Sequence, residues 1–344
     1  MERTDIQTRT LYAELLEQMQ ILEASRTIAD LRGSFSTKTV KGETYVYFQH
    51  YIPGGKLNQV YVGKLNEQTE ALMHEYAQGK IETEKMRESI IRLSLQIKAG
   101  CDIPIDAAMT RVISSMAEAG FFRYGGVLIG THAYLALGVM LGAHWVRASM
   151  STSDIDLAAN RHVAIAVPKL KADIPATIDS LKMGFYPVPA MNLKHPSTTF
   201  AIRKSRLRLD ILTPKTSDSD APVYIPRFNC AATPLQYLGY LIEEPIPAIL
   251  LGTEPVMARV PHPVRYALHK LIVSQLREIT SATKKEKDLL QAHQLLTILN
   301  EERPDDVSKA WEDIISRGPK WKKLVEAGNS DMERRFGKLE EVNA

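Results

Sequence analysis

Apolar residues recur at helical spacing near the start of the chain, at Leu11, Leu15, Met19 and Leu22, and predict a helix over residues 5–31. The texture then changes. Residues 44–51 are β-branched and aromatic (TYVYFQHY), and residues 58–62 repeat the pattern (NQVYV). The turn signal Pro53-Gly54-Gly55 between them makes the pair a predicted β-hairpin over residues 44–62. Residues 65–99 are polar and helix-favouring, with Gly79 placed to divide them into two helices. Gly100 ends that stretch, and Pro104 opens a helix over 105–119. An apolar strand at 125–130 feeds a helix at 132–141. Strands are predicted at 154–158, 162–167, 199–203 and 206–212, and in pieces over 246–260, with helices near 173–182 and 234–242. Beyond Pro261-His262-Pro263 the pattern is helical throughout. Val264, Leu268, Leu271, Ile272 and Leu276 form an apolar stripe, with Tyr266, Lys270 and Arg277 off it, and a second helix covers 284–300.

The order of elements gives an α+β fold class and three regions. A small N-terminal helix and β-hairpin appendage takes residues 1–100. A mixed sheet with flanking helices takes 101–260, and a helical C-terminal domain takes 261–344. A composition of 44% apolar and 24% charged residues over 344 positions suffices for a packed core. The formal net charge of +3 carries no global nucleic-acid signature, so any basic surface is local. Cys101 and Cys230 stand far apart, without Cys-x-x-Cys or a Cys/His cluster, and read as reduced core residues rather than zinc ligands. His262 and His269 have no partner at metal-ligand spacing and read as surface residues. No signal peptide and no membrane span is expected from the charged N-terminus and the short apolar runs, which points to a cytoplasmic protein.

The chemistry concentrates in three places. In Ser153-Asp154-Ile155-Asp156-Leu157, a strand would turn both aspartates to one face and the two apolar residues to the other. Carboxylates so close repel unless a hard cation lies between them, and Mg²⁺ (or Mn²⁺) suits oxygen donors; a strand end with two solvated aspartates gives the same pattern. Upstream, the strand 127–129 runs into Gly130-Thr131 and a helix, a turn that lets backbone N–H groups and a hydroxyl approach a phosphate, or a routine turn with Thr131 as N-cap. Downstream, Arg206-Leu207-Arg208-Leu209-Asp210 alternates strictly and puts Asp210 on one face with both arginines.

Together these elements resemble the DNA polymerase β superfamily of nucleotidyltransferases: Gly-[Gly/Ser/Thr], then Asp-x-Asp, then a later strand aspartate. More narrowly, Gly130-Thr-His-Ala-Tyr134 followed by Ser151-Thr-Ser-Asp-Ile-Asp-Leu157 is similar to a bacterial group of nucleotidyltransferase-domain proteins. The 22 residues between Thr131 and Asp154 exceed the spacing of compact superfamily members, and an insert containing Gly138, Gly142 and Trp145 would lengthen the helix and loop. The resemblance implies a polymerase β-type core and an enzyme using Mg²⁺ (or Mn²⁺). Asp154, Asp156 and Asp210 would be its catalytic residues and metal ligands, and Gly130, Thr131 and Ser153 would contact the nucleotide. It implies transfer of a nucleoside monophosphate from an NTP such as ATP to a hydroxyl of RNA (tRNA first), of a protein or of a small molecule.

Two flanking pieces extend this reading. The helix carrying Lys270 and the later Lys284-Lys-Glu-Lys287-Asp288 are similar to the C-terminal half of toxin-type and abortive-infection nucleotidyltransferases, which implies that Lys270 reaches the triphosphate and that Lys287 and Asp288 face the nucleotide; a solvated lysine and an exposed charged turn give the same pattern. That similarity opens the reading of a toxin from a toxin–antitoxin pair. In the hairpin, Tyr45, Tyr47 and Tyr51 share a face with Lys41, Lys56 and Lys64 around it, a combination that suits RNA or another nucleic acid across residues 40–64 and also suits a hairpin packed on its neighbour. A reading of a different class is a non-catalytic nucleic-acid- or partner-binding protein on a transferase scaffold. The base, the acceptor and the oligomeric state are not legible.

Overall fold

A computed structural model describes residues 2–25, 33–52, 56–101, 106–150, 152–161 and 172–339. The expected Pro53-Gly54-Gly55 turn, the helix start at Pro104 and the strand at 162–167 lie outside these residues.

The chain opens with helix α1 (Ile6–Ala24), capped by Asp5, whose carboxylate accepts from the Thr8 backbone N–H at 2.8 Å. Three antiparallel strands follow: β1 (Ser34–Val40), β2 (Glu43–Ile52) and β3 (Lys56–Lys64). The predicted hairpin is therefore the second and third strand of a small sheet. Helix α2 (Glu67–Ala99) is continuous, so Gly79 does not divide it. A mid-helix glycine costs about 1 kcal/mol relative to alanine. The reciprocal Asn66/Thr69 capping box and the buried Ile90, Leu93 and Ile97 of this helix outweigh that cost. Together with Tyr12 and Leu15 of α1, these side chains pack on Val139, Ile249 and Leu251.

The second sheet positions the chemistry. Helix α3 (Ala107–Glu118) leads to β4 (Gly126–Ile129), α4 (Gly130–Leu141), the single turn α5 (Arg147–Met150) and β5 (Asp154–Ala159). Then come α6 (Ile174–Ser180), β6 (Phe185–Pro187), β7 (Thr199–Ile202), β8 (Arg208–Pro214), β9 (Val223–Ile225) and β10 (Cys230–Leu235). The sheet is mixed, in the order β4-β5-β8-β10-β9, with β7 also pairing with β8 and β6 with β7. Strands β5, β8 and β10 run parallel; β4, β7 and β9 pair antiparallel with their neighbours. Residues 230–235 are thus a strand, and the helix expected over 234–242 shrinks to α7 (Leu238–Leu241). The long spacing between Thr131 and Asp154 is taken up by α4, by Gly142 in the left-handed conformation (φ +61°), and by a return of the chain that stacks Trp145 on Tyr134 at 4.5 Å.

Strands β11 (Ile246–Leu250) and β12 (Val256–Val260) form a separate ladder. Four helices complete the chain: α8 (Pro263–Leu276), α9 (Ala282–Glu302), α10 (Pro304–Ser316) and α11 (Pro319–Phe336). One apolar cluster runs from Met109 to Met332 and joins both faces of the 260/261 boundary. Val264, Leu268, Leu271 and Ile272 are buried in it, whereas Leu276 is exposed. Two expectations are corrected on α8. Tyr266 is fully buried rather than off the apolar stripe, because the core here wraps more than one side of the helix. His262 and His269 are half-buried, and burial holds both imidazoles below their ordinary pKa, so neither is an open surface residue. Cys101 and Cys230 are free. No helix among the described residues is long and apolar enough to cross a membrane.

Candidate active site

Alternation along β5 sends Ile155 and Leu157 into the core and leaves Asp154 and Asp156 on the opposite face. Leu209 and Ile211 are likewise buried on β8, with Arg208 and Asp210 facing the other way. The parallel register pairs Asp154 with Arg208 and Asp156 with Asp210. Directly opposed residues of neighbouring strands lie about 4.8 Å apart, so Asp156 and Asp210 are immediate neighbours. Asp154 is one step along the same face, roughly 8 Å from Asp210 by strand rise and spacing.

The strand-to-helix turn closes over Asp156. Gly130 has φ +66°, and a Cβ there would lie 2.2 Å from Asp156 Oδ2. Glycine is required on both counts, conformation and room for the carboxylate. The Gly130 carbonyl is held by the Tyr266 hydroxyl at 2.9 Å, whose proton is shared with Gln291 Oε1 at 3.1 Å. Helices α8 and α9 therefore brace the turn. Thr131 is buried but is not the N-cap of α4: Ile129 occupies that position, and no side chain caps the helix. The Thr131 hydroxyl instead accepts from Lys287 Nζ at 2.9 Å. Asp156 is pushed up to about 6, first by burial and next by the Asp210 charge, while Lys270 acts against the shift. Lys287 is pulled down to about 8 by burial and then by the charge of Lys270.

The remaining expected site residues fall as follows. Asp210 Oδ1 accepts from the Thr199 hydroxyl of β7. Ser153 Oγ stands 3.5 Å from Asp154 Oδ1, at the limit of a hydrogen bond. Lys270 donates to Asp288 Oδ1 at 2.6 Å, and Arg277 donates to Asp288 Oδ2 at 2.9 Å. Asp288 is almost fully buried; burial alone would raise its pKa, and the two cations outweigh that and hold it low. Lys270 is thus committed to a buried carboxylate, although its charge still reaches Asp156. A cleft of about 530 Å³ opens beside Asp154, walled by Ser153, Asp106, Arg206, Lys284 and Lys287. A second cleft of about 470 Å³ lies between α1, α2, α3 and β12, is lined largely by apolar residues such as Leu22, Ile90 and Phe122, and contains none of these aspartates.

The donor set is oxygen-only, three carboxylates on one sheet face, which is the chemistry a hard divalent cation takes. Among the described residues no three His, Cys, Asp or Glu side chains are gathered tightly enough to enclose an ion. Asp210 is turned to Thr199 and Asp154 toward Ser153, so the face is assembled and the carboxylates are not closed on one point.

A nucleotidyltransferase family model matches residues 107–316, more than half of the chain. The chain belongs to this nucleotidyltransferase family. The match runs from α3 through α10 and so takes in β5, β8 and Lys287 together. A solved structure of an antigenic nucleotidyltransferase-like protein from Paracoccidioides brasiliensis is similar over 65% of this chain and 94% of its own, at 13% identity and a TM-score of 0.33, too distant to support inference. No curated protein matches the chain.

Sequence reasoning left one residue at this site open and passed over another. Lys287, open between facing the nucleotide and lying in an exposed KKEKD turn, meets Thr131. Thr199 had no signal at all, because only the antiparallel register of β7 on β8 brings it to Asp210.

Proposed function

We propose that the protein transfers a nucleoside monophosphate from an NTP to a hydroxyl acceptor and releases pyrophosphate, using Mg²⁺ (or Mn²⁺) held by Asp154, Asp156 and Asp210. The observation that carries this reading is the register of β5 on β8, which sets Asp156 beside Asp210 under the Gly130 turn. In the reaction the acceptor oxygen bonds to the α-phosphorus as the bond from that phosphorus to the oxygen bridging to the β-phosphate breaks. The acceptor proton passes to Asp210. A bound divalent ion supplies neutralisation of the phosphate charge. Gly130 leaves room for the Asp156 carboxylate, Thr131 and Lys287 stand at the start of α4 where a phosphate would lie, and Ser153 borders the cleft. Lys270 holds Asp288 and adds positive charge behind Asp156. RNA is the favoured acceptor, and a toxin acting on RNA would use the same chemistry.

A non-catalytic scaffold is favoured by one observation: no trio of donors among the described residues is gathered on a point. Four labelled NTPs, offered with Mg²⁺ to RNA and to protein fractions, separate the two. Label transferred by the wild type and not by Asp156→Asn supports the transferase. No transfer with any NTP, alongside intact Mn²⁺ binding, leaves the scaffold reading.

A further inference from the structure

The small N-terminal sheet has two unlike faces. On one, Phe35 and Phe48 meet Tyr76 of α2 in edge-on contacts at 5.2 and 5.7 Å, with Val46 buried beside them. On the other, the register places Tyr47 opposite Tyr61 and Tyr45 opposite Lys38 and Lys64. The rings of Tyr45 and Tyr47 lie 6.2 and 5.7 Å from that of Tyr61, and Tyr61 is 55% exposed. Lys38 Nζ sits 5.0 Å over the Tyr47 ring. The side chains of Tyr51 and Lys56, expected to join this face, lie outside the described residues; Tyr61 and Lys38 were not anticipated on it.

Charge sharpens the picture. Residues 34–64 contain four lysines and one acidic residue, Glu43, so this segment alone carries an excess equal to the whole chain's +3. Glu43 is paired with Lys64 at 2.8 Å, both side chains more than half exposed. Such a surface pair contributes little and exchanges readily for another anion. The exposed aliphatics on this face, Val40 and Leu57, stand toward the ends of their strands, and its middle is tyrosine and lysine. Adjacent π-faces with cations between them instead match bases joined by phosphates.

We propose that this outer face is a stacking platform for a single-stranded nucleic acid, with Tyr45, Tyr47 and Tyr61 taking bases and Lys38, Lys41 and Lys64 meeting phosphates. The proposal stands apart from the transfer reading, because its test contains neither NTP nor divalent ion.

The test is fluorescence anisotropy of the full chain with a labelled 12-nucleotide RNA, the same sequence as single-stranded DNA, and its duplex, in EDTA. Single strands should bind and the duplex should bind more weakly. Tyr47→Ala and Tyr61→Ala should each weaken single-strand binding roughly 5- to 100-fold, the range of one lost base stack. Tyr61→Trp should retain or tighten it. Lys38→Gln should lower the slope of log K against log salt by about 0.7, one phosphate contact on a single strand. Should a lost ring unfold the sheet, the salt slope of Lys38→Gln decides, and a loss of binding in Tyr61→Trp counts against the platform. Single-strand binding unchanged in Tyr47→Ala, Tyr61→Ala and Lys38→Gln, or duplex bound as tightly as single strand, overturns the proposal. So does conversion of a self-associated chain to monomer by Tyr61→Ala in light scattering, which would make the face a contact between copies.

Discussion

Asp156 is half-buried and Asp288 buried, and the protein treats the two carboxylates in opposite ways. Asp288 is gripped by Lys270 and Arg277, and its carboxyl is held below the usual range. Asp156 has Asp210 as its neighbour across the sheet and Asp154 two residues away, and it is pushed up to about 6. A buried carboxylate needs a compensating charge, or it gives up its own. One aspartate finds that charge within the chain and contributes to holding α8 and α9 together. The other does not, and the missing charge is what a divalent ion would bring.

The largest expected effect breaks the comparison at the unsatisfied side. Asp156→Asn or Asp210→Asn should cut nucleotidyl transfer at least about 100-fold, since in the proposed reaction neutralisation of phosphoryl charge would run through this face. Rate measurements at saturating Mg²⁺ check it, and a variant within a few-fold of wild type would remove these residues from the chemistry. Next comes the satisfied side. Asp288→Ala strands Lys270 and Arg277, and breaking such a pair from one end costs about 3 kcal/mol. Urea unfolding should show that loss, whereas Asp156→Asn without metal should hold or gain stability. Lys270→Ala belongs with Asp288→Ala: it should lower stability as well as NTP affinity, because the lysine is half of a buried pair.

The difference also has a pH signature. The folded pKa of Asp156 lies above its unfolded value, so its protonated form favours the folded state. Its contribution to stability is fully present below about pH 4, the unfolded carboxylate pKa, and is lost as pH rises through about 6. Asp288 has the opposite sign, adding stability that is lost as pH falls. In EDTA, wild type minus Asp156→Asn should therefore decline by on the order of 1–2 kcal/mol between pH 4 and 7. Saturating Mn²⁺ should abolish the decline. A flat difference would mean that Asp156 is no less comfortable charged than a surface aspartate.

How much of this was legible beforehand follows from range. The Asp154/Asp156 alternation and the run from Arg206 to Asp210 are period-two patterns, readable wherever a strand forms. The neighbourhood of Asp156 and Asp210 is a register between strands more than 50 residues apart, and only the family resemblance anticipated it. Asp288 was legible in principle. Positions 288, 292, 295 and 299 fall on one side of α9 with Ala292, Leu295 and Leu299, all buried. A charge on an apolar stripe demands a partner, but the lysines around it made the segment look solvated. Gly79 misled in the other direction, since a breaker residue is a local signal and the packing of α2 on α1, Val139, Ile249 and Leu251 is not. Strand β1 was missed because its side chains are mostly exposed and show no clean alternation.

The smallest expected effect concerns the hydroxyl that holds Asp210. Thr199→Val keeps shape and charge and removes one hydrogen bond, which should cost about 1 kcal/mol of stability or less. Its consequence for metal is more informative. Asp210 gives one oxygen to Thr199, which fixes the plane of the carboxylate and leaves the other oxygen for an ion. Residues that orient a ligand in this way typically change metal affinity by about tenfold or more. Thr199→Val should accordingly weaken Mn²⁺ binding about tenfold in isothermal titration, with transfer restored at high Mn²⁺. Tighter binding would show that Thr199 instead holds Asp210 away from the ion. In that case the ungathered carboxylates are a state the hydroxyl maintains, and Asp210 must leave Thr199 before the site can close.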